Sequence, residues 1–275
     1  MTKMKQIISI FAAFCAAGIS TISLAAGGGA NLNVSPHEPR DAASLQRGAQ
    51  LFVNYCQGCH TAQYMRYNRL VDIGLTEKQI VDNLILDKSK KIGDTMTNSM
   101  KPADAKAWFG AVPPDLSVIT RSYGADRLYS YLRGFYRDDS RPTGWNNIVS
   151  PNIGMPHVMA DLSGNYALKT QTFDDHAAAG KVASLDKGLW RMEDTVKGAD
   201  GKAKTVLASV QPDTAGQLNP QQYDAAVADL VNFLAYTAEP YARDRKAIGV
   251  WMMIFLTFLA FIAYWLKTEY WKDVH

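Results

Sequence analysis

Cys56-Gln57-Gly58-Cys59-His60 constrains this chain more than any other stretch of it. Cysteines three apart on one turn of helix project from the same face, and His60 directly follows the second thiol. Two sulfurs so spaced can add across the two vinyl groups of a porphyrin, and the imidazole then reaches the iron from one side as proximal ligand. A dithiol of the thioredoxin type needs no adjacent histidine, and a zinc ribbon needs a second ligand pair. The remaining cysteine, Cys15, lies in an apolar N-terminal run, so there is no second pair and the motif predicts one covalently bound haem c.

Residues 1–26 read as a cleaved signal peptide: Lys3 and Lys5, an apolar run from Ile7, then small residues ending Ala25-Ala26. Export and the haem motif support each other, because in bacteria haem is attached to such motifs outside the cytoplasmic membrane. The net charge of +3 is small and both signs are mixed along the chain, so nothing points to nucleic acid. Residues 27–40 read as an extended arm. Residues 42–55 predict a helix with Leu45, Ala49, Phe52 and Val53 on one stripe; Gly48 in its middle implies close packing of another helix. Tyr64-Met65-Arg66-Tyr67-Asn68-Arg69 reads either as a wrap for the porphyrin edge or as ordinary half-buried side chains. Residues 76–86 predict a short helix opened by a Thr76/Gln79 capping box, and 88–91 a solvated charge run.

Val112-Pro113-Pro114-Asp115-Leu116-Ser117 is the second informative stretch. Two prolines fix an extended backbone without donors, leaving their carbonyls free to accept, and one of these could take the Nδ1 proton of His60; Pro113 is also a candidate cofactor-binding residue. A helix then reads from Arg121 through Tyr131 to Tyr136, and Arg121 is the candidate cation for a haem propionate. A soft thioether as sixth ligand favours ferrous iron and suits an electron carrier, whereas an open position suits gas or peroxide chemistry. The candidates are Met96, Met100, Met155, Met159, Met192 and His157. Gly154-Met155-Pro156 favours Met155, since glycine lets the backbone approach and proline stiffens the chain beyond the sulfur.

Residues 161–217 are polar and read as loops with one hairpin, 189–195 against 205–209, turning at 199–201. Asn219-Pro220 opens a helix with Tyr223, Val227, Leu230, Val231, Leu234 and Ala235 on its apolar face, broken by Glu239-Pro240. Residues 247–266 form a continuous apolar run about long enough to cross a bilayer, with Trp251, Tyr264, Trp265, Tyr270 and Trp271 near its ends. The residues before this span are at least as basic as those after it, so orientation rests on the signal.

Val53-Asn54-Tyr55-Cys56, Pro113-Pro114-Asp115-Leu116-Ser117, Gly154-Met155-Pro156 and Ala238-Glu239-Pro240, in this order before one C-terminal span, resemble the cytochrome c1 family, the haem subunit of ubiquinol:cytochrome c reductase (cytochrome bc1) complexes, in its shorter bacterial form. The resemblance covers nearly the whole mature chain. It implies a mainly α fold, a class I c-type cytochrome with enlarged loop insertions plus one C-terminal transmembrane helix. It divides the chain into a signal peptide (1–26), a periplasmic cytochrome c domain (27–240), a linker and anchor helix (241–266) and a cytoplasmic tail (267–275). It implies that His60 and Met155 are the axial ligands and that Arg121 stands beside a propionate, although Ser122-Tyr123 departs from the residues common at those positions in the family. The implied role is that of an electron-transfer subunit in the bacterial inner membrane, taking single electrons from the Rieske iron-sulfur protein and passing them to a soluble or membrane-tethered cytochrome c. The implied partners are cytochrome b, the Rieske protein, that cytochrome c and membrane lipid, in a dimeric complex. Two rivals share part of this pattern: a monohaem membrane cytochrome serving another dehydrogenase or oxidase, and an open-site haem enzyme or sensor.

Overall fold

Two helices far apart in the sequence form the centre of the fold. The first, α1 (Ala42–Leu51), starts at Asp41, whose carboxylate accepts the amide proton of Ser44 at 3.1 Å. The second, α7 (Pro220–Ala238), opens on a capping box in which Asn219 and Gln222 satisfy each other's backbone donors, with proline in the first turn. They meet at Gly48: a Cβ placed there would lie 2.1 Å from the Asp229 carbonyl oxygen. Around this contact Arg47 forks onto Asp229 at 2.6 and 3.0 Å, Asn232 Nδ2 donates to Ser44 Oγ at 3.0 Å, and the Phe52 and Phe233 rings pack 5.7 Å apart. The close helix packing expected at Gly48 is therefore present, and its partner is α7.

The computed structural model describes residues 32–36, 41–174, 190–197 and 203–272. The expected signal segment and the expected hairpin turn lie outside the described residues. Between the two central helices the chain lays down β1 (Ala62–Arg66), a 3-10 stretch (Tyr67–Ile73), α2 (Glu77–Asn83), β2 (Thr95–Met96) and α3 (Pro102–Phe109). The Thr76/Gln79 capping box opens α2 as expected. The Tyr64 to Arg69 segment is thus half strand and half 3-10 turn. Tyr67 and Leu70 are core residues, while Tyr64 stays exposed.

Two expectations need correction. The single helix expected from Arg121 to Tyr136 is instead α4 (Ile119–Tyr123) and α5 (Ala125–Arg133), broken where Gly124 takes φ +83°. Residues beyond α5 form the antiparallel pair β3 (Phe135–Arg137) and β4 (Trp145–Asn147). The polar stretch 161–217 also holds more structure than one hairpin. After α6 (Ala160–Ser163), β5 (Gly164–Phe173) pairs with β7 (Ala203–Ala215), and β7 pairs with β6 (Trp190–Lys197), giving the antiparallel order β5-β7-β6. The expected hairpin is β6 with β7; its outer partner β5 has no clean apolar alternation, and its run from Leu168 to Thr172 is exposed on both faces.

Residues from α1, α4, α5 and α7 share one hydrophobic core with β1 and β2. Helix α7 is enclosed on every side at its centre, where Leu230, Val231, Asn232, Phe233 and Leu234 are all buried in succession. A short break at Glu239 and Pro240 leads into α8 (Ala242–Tyr270), whose 27 residues from Asp244 to Tyr270 are long and apolar enough to cross a membrane and expose their apolar side chains. The junction is tied to the body of the fold by Arg69, which lies over the Tyr241 ring at 5.1 Å and donates to its hydroxyl at 3.1 Å.

Candidate haem site

Helix α1 does not run regularly to the cysteines. Its last turn, Phe52–Cys56, widens to π geometry, closed by the Gln57 amide bonding back to the Phe52 carbonyl at 2.9 Å. The Cys56 carbonyl then accepts from the Cys59 amide at 3.1 Å and the His60 amide at 2.8 Å. These bonds place both thiols and the imidazole on one compact turn. Cys56 is buried and Cys59 half-buried. Burial, with Cys59 adding to it, pushes the Cys56 thiol up to about 12, and burial also raises that of Cys59. Burial thus disfavours the thiolate form that coordination of a bare metal ion would need.

His60 is buried, and its Nδ1 lies 2.7 Å from the Pro114 carbonyl oxygen. A carbonyl only accepts, so Nδ1 carries the proton and Nε2 keeps its lone pair. Burial lowers the imidazole pKa against the opposing pull of the Pro114 carbonyl and the Asp115 charge, which keeps the ring in its neutral, ligating form. The carbonyl expected from the Pro-Pro segment is therefore present, but it belongs to Pro114; Pro113 makes no such bond.

The segment that carries this carbonyl is fastened to the residues after His60. Asp115 accepts from the Thr61 hydroxyl, the Gln63 amide at 2.9 Å and the Ser117 amide at 2.8 Å. The Leu116 amide bonds the Thr61 carbonyl at 2.7 Å, and the Tyr64 amide bonds Ser117 Oγ at 3.1 Å. Burial raises the Asp115 carboxyl, but hydrogen bonds from Ser117, Thr61 and Gln63 outweigh it and hold the group below the usual carboxylate range. Asp115 was legible in the sequence only as part of the Pro-Pro-Asp-Leu-Ser string; its partners are distant in the chain.

Met155 stands on a braced loop. Asn152 takes φ +66°, its amide bonds Asn146 Oδ1 at 2.8 Å, and Arg141 donates to its side chain at 3.1 Å and its carbonyl at 3.0 Å. Next in line, Gly154 lies so close to the end of α3 that an added Cβ would stand 2.5 Å from the Phe109 carbonyl oxygen. The loop bearing Met155 thus abuts the segment that leads, five residues on, to Pro114. The Tyr131 hydroxyl donates to Met155 Sδ at 3.3 Å, a contact the sequence did not announce.

The other expected ligand candidates sit differently. His157 is buried, stacked on Phe135 at 4.9 Å and 6°, with Trp145 and Tyr223 edge-on. Its Nε2 bonds Ser163 Oγ at 2.8 Å, and because that hydroxyl donates onward to the Gly164 carbonyl, Nε2 is the donor. Burial, opposed by Asp161, lowers the His157 pKa to about 4. Met96 and Met159 are enclosed in the core. The side chain of Met192 lies outside the described residues. Arg121 is exposed on α4, with no side-chain hydrogen bond or ion pair among the described residues.

One turn that brings two thiols together with a buried imidazole whose free nitrogen is a lone pair fits a covalently held haem. The chain matches the Cytochrome C1 family over residues 34–208 and 215–274. It is 44% identical over 256 residues to cytochrome c1 of Allochromatium vinosum, covering 93% of this chain and 94% of that protein. It is 39% identical over 244 residues to a protein of Nitrosomonas europaea named ammonia monooxygenase gamma subunit, covering 89% of each. The mitochondrial haem protein cytochrome c1 of Saccharomyces cerevisiae is 24% identical over 257 residues, covering 87% of this chain and 70% of that one.

Proposed function

This chain belongs to the cytochrome c1 family of c-type haem proteins, and from that premise we propose that Cys56 and Cys59 carry its haem c and that His60 and Met155 are the axial ligands. As a cytochrome c1 it is the electron-transfer haem subunit of a cytochrome bc1 complex. Haem c supplies a one-electron couple at its iron. The chain's own residues supply the rest. His60 presents a neutral Nε2 because the Pro114 carbonyl holds its other nitrogen as N–H, and this is the single observation that carries the ligand assignment. Asp115 keeps that carbonyl in place through Thr61, Gln63 and Ser117. Met155 offers a soft sulfur on a loop with little freedom, which favours the reduced iron and so a carrier's potential.

In this reading the chain takes single electrons from the Rieske iron-sulfur protein and hands them to a soluble or membrane-tethered cytochrome c. It packs α8 beside cytochrome b in a dimeric complex. Residues 1–26 are removed on export, 27–240 form the periplasmic domain, 241–266 the linker and anchor, and 267–275 the cytoplasmic tail. Arg121, exposed and without a side-chain partner among the described residues, is the cation reserved for a propionate. Helix α8 supports the membrane anchor by its length and exposed apolar surface.

The test is an optical spectrum and redox titration of the exported holoprotein beside Met155→Leu. A low-spin ferrous spectrum with a positive midpoint potential, lost or greatly lowered in the variant, supports the assignment; an unchanged spectrum and potential removes Met155. High-spin iron that binds carbon monoxide in the wild type would favour an open site and end the carrier reading. Protease treatment of spheroplasts tests orientation: the haem domain should be cut from outside and the tail protected.

A further inference from the structure

Tyr131 reaches Met155 from a direction that no motif prescribes. Its hydroxyl lies 3.3 Å from Sδ, and a thioether has lone pairs but no hydrogen, so the phenol is the donor. Among the described residues this sulfur is the hydroxyl's hydrogen-bond partner, and a thioether is a weak acceptor. Half-burying a phenol against so weak a partner costs stability that a phenylalanine ring of the same shape would not.

The ring itself is well held. Phe135 packs edge-on to it at 5.1 Å. The Tyr131 carbonyl accepts from Asn147 Nδ2 at 2.7 Å, and the Oδ1 of the same Asn147 accepts from the Val149 amide at 2.8 Å and the Ser150 amide at 3.2 Å. One fully buried asparagine therefore braces both α5 and the start of the loop that ends at Met155. The phenol and the sulfur are held in register by the same residue.

We propose that Tyr131 is a positioning residue for the Met155 thioether: its hydroxyl engages one sulfur lone pair, leaves the other for iron, and by drawing electron density from sulfur raises the potential of the bound haem. This rests on the reading of Met155 as a ligand. A sulfur that also accepts a hydrogen bond is a poorer donor to ferric iron, while the soft ferrous ion loses less. The hydroxyl thus trades some ferric-state ligand strength for a higher potential.

The experiment compares wild type, Tyr131→Phe and Met155→Leu as full-length holoproteins, by redox titration and by imidazole displacement of the sixth ligand in the ferric state. A further sample carries 3-fluorotyrosine at position 131, a stronger donor of nearly the same shape, which keeps the test alive should Tyr131→Phe fail to fold. We expect Tyr131→Phe to keep a low-spin spectrum with a lower midpoint potential, and to bind imidazole about three- to tenfold more weakly, the range one ordinary hydrogen bond supports. Fluorotyrosine should shift both in the opposite direction. Unchanged potential and imidazole affinity in Tyr131→Phe, or no shift with fluorotyrosine, while Met155→Leu loses its spectrum, would overturn the Tyr131 proposal and leave the ligand standing. A Met155→Leu protein like wild type would overturn both.

Discussion

Asp115 joins two stretches of chain more than fifty residues apart through Thr61: one carboxylate oxygen accepts from the Thr61 hydroxyl and the Gln63 amide, while the other holds the Ser117 amide. This link keeps the Pro114 carbonyl on His60. Asp115→Ala removes three hydrogen bonds and should cost about 1–3 kcal/mol, read as a lower Tm. Because the folded carboxyl titrates below its unfolded value, its stabilising contribution is complete above the unfolded carboxylate pKa and is lost as the pH falls through the folded one. Wild type should therefore lose stability on acidification more steeply than Asp115→Ala, in a urea series run from pH 6 downward.

Gly48 is where the two central helices touch backbone to backbone. Gly48→Ala would force a methyl group onto the Asp229 carbonyl and the Phe233 side chain. The gain in helix propensity of about 1 kcal/mol is small beside the displacement of α7, so a net loss of about 1–3 kcal/mol is expected in chemical denaturation.

Gly154 tests the positioning of Met155 without touching its sulfur. Gly154→Ala places a methyl group against the Phe109 carbonyl, and the loop must move. Far-UV circular dichroism should stay unchanged while the midpoint potential falls and part of the iron becomes high-spin. A wild-type potential would show that the loop has slack that this packing does not reveal.

Arg133 and Asp224 form a bidentate pair at 2.5 and 2.8 Å that pins α5 to α7, and the Arg133 side chain is only 10% exposed. Asp224→Ala leaves a largely buried guanidinium unpaired and should cost about 2–4 kcal/mol. Arg133→Met with Asp224→Leu should recover most of that loss, measured by thermal unfolding.

The features that the amino-acid sequence determined by itself are local. The Cys-x-x-Cys-His spacing, the Thr76 and Asn219 capping boxes, the Glu239-Pro240 stop and the long apolar run each depend on residues within a few positions of one another, or on composition alone, so the pattern carries its own physics. The need for glycine at position 48 was legible too, since a glycine in a helix stripe has few other reasons. Tertiary structure decided the rest. Both Pro113 and Pro114 offer an acceptor, and only the fastening through Asp115 selects the carbonyl of Pro114. The widened turn at Phe52–Cys56 has no signature in the local sequence. Strand β5 carries no apolar alternation, and the bonds that define it come from its partner β7, more than thirty residues away. Tyr131 read only as one residue within a helix, because a hydroxyl's partner 24 residues downstream is invisible until the loop through Asn147 folds back onto it.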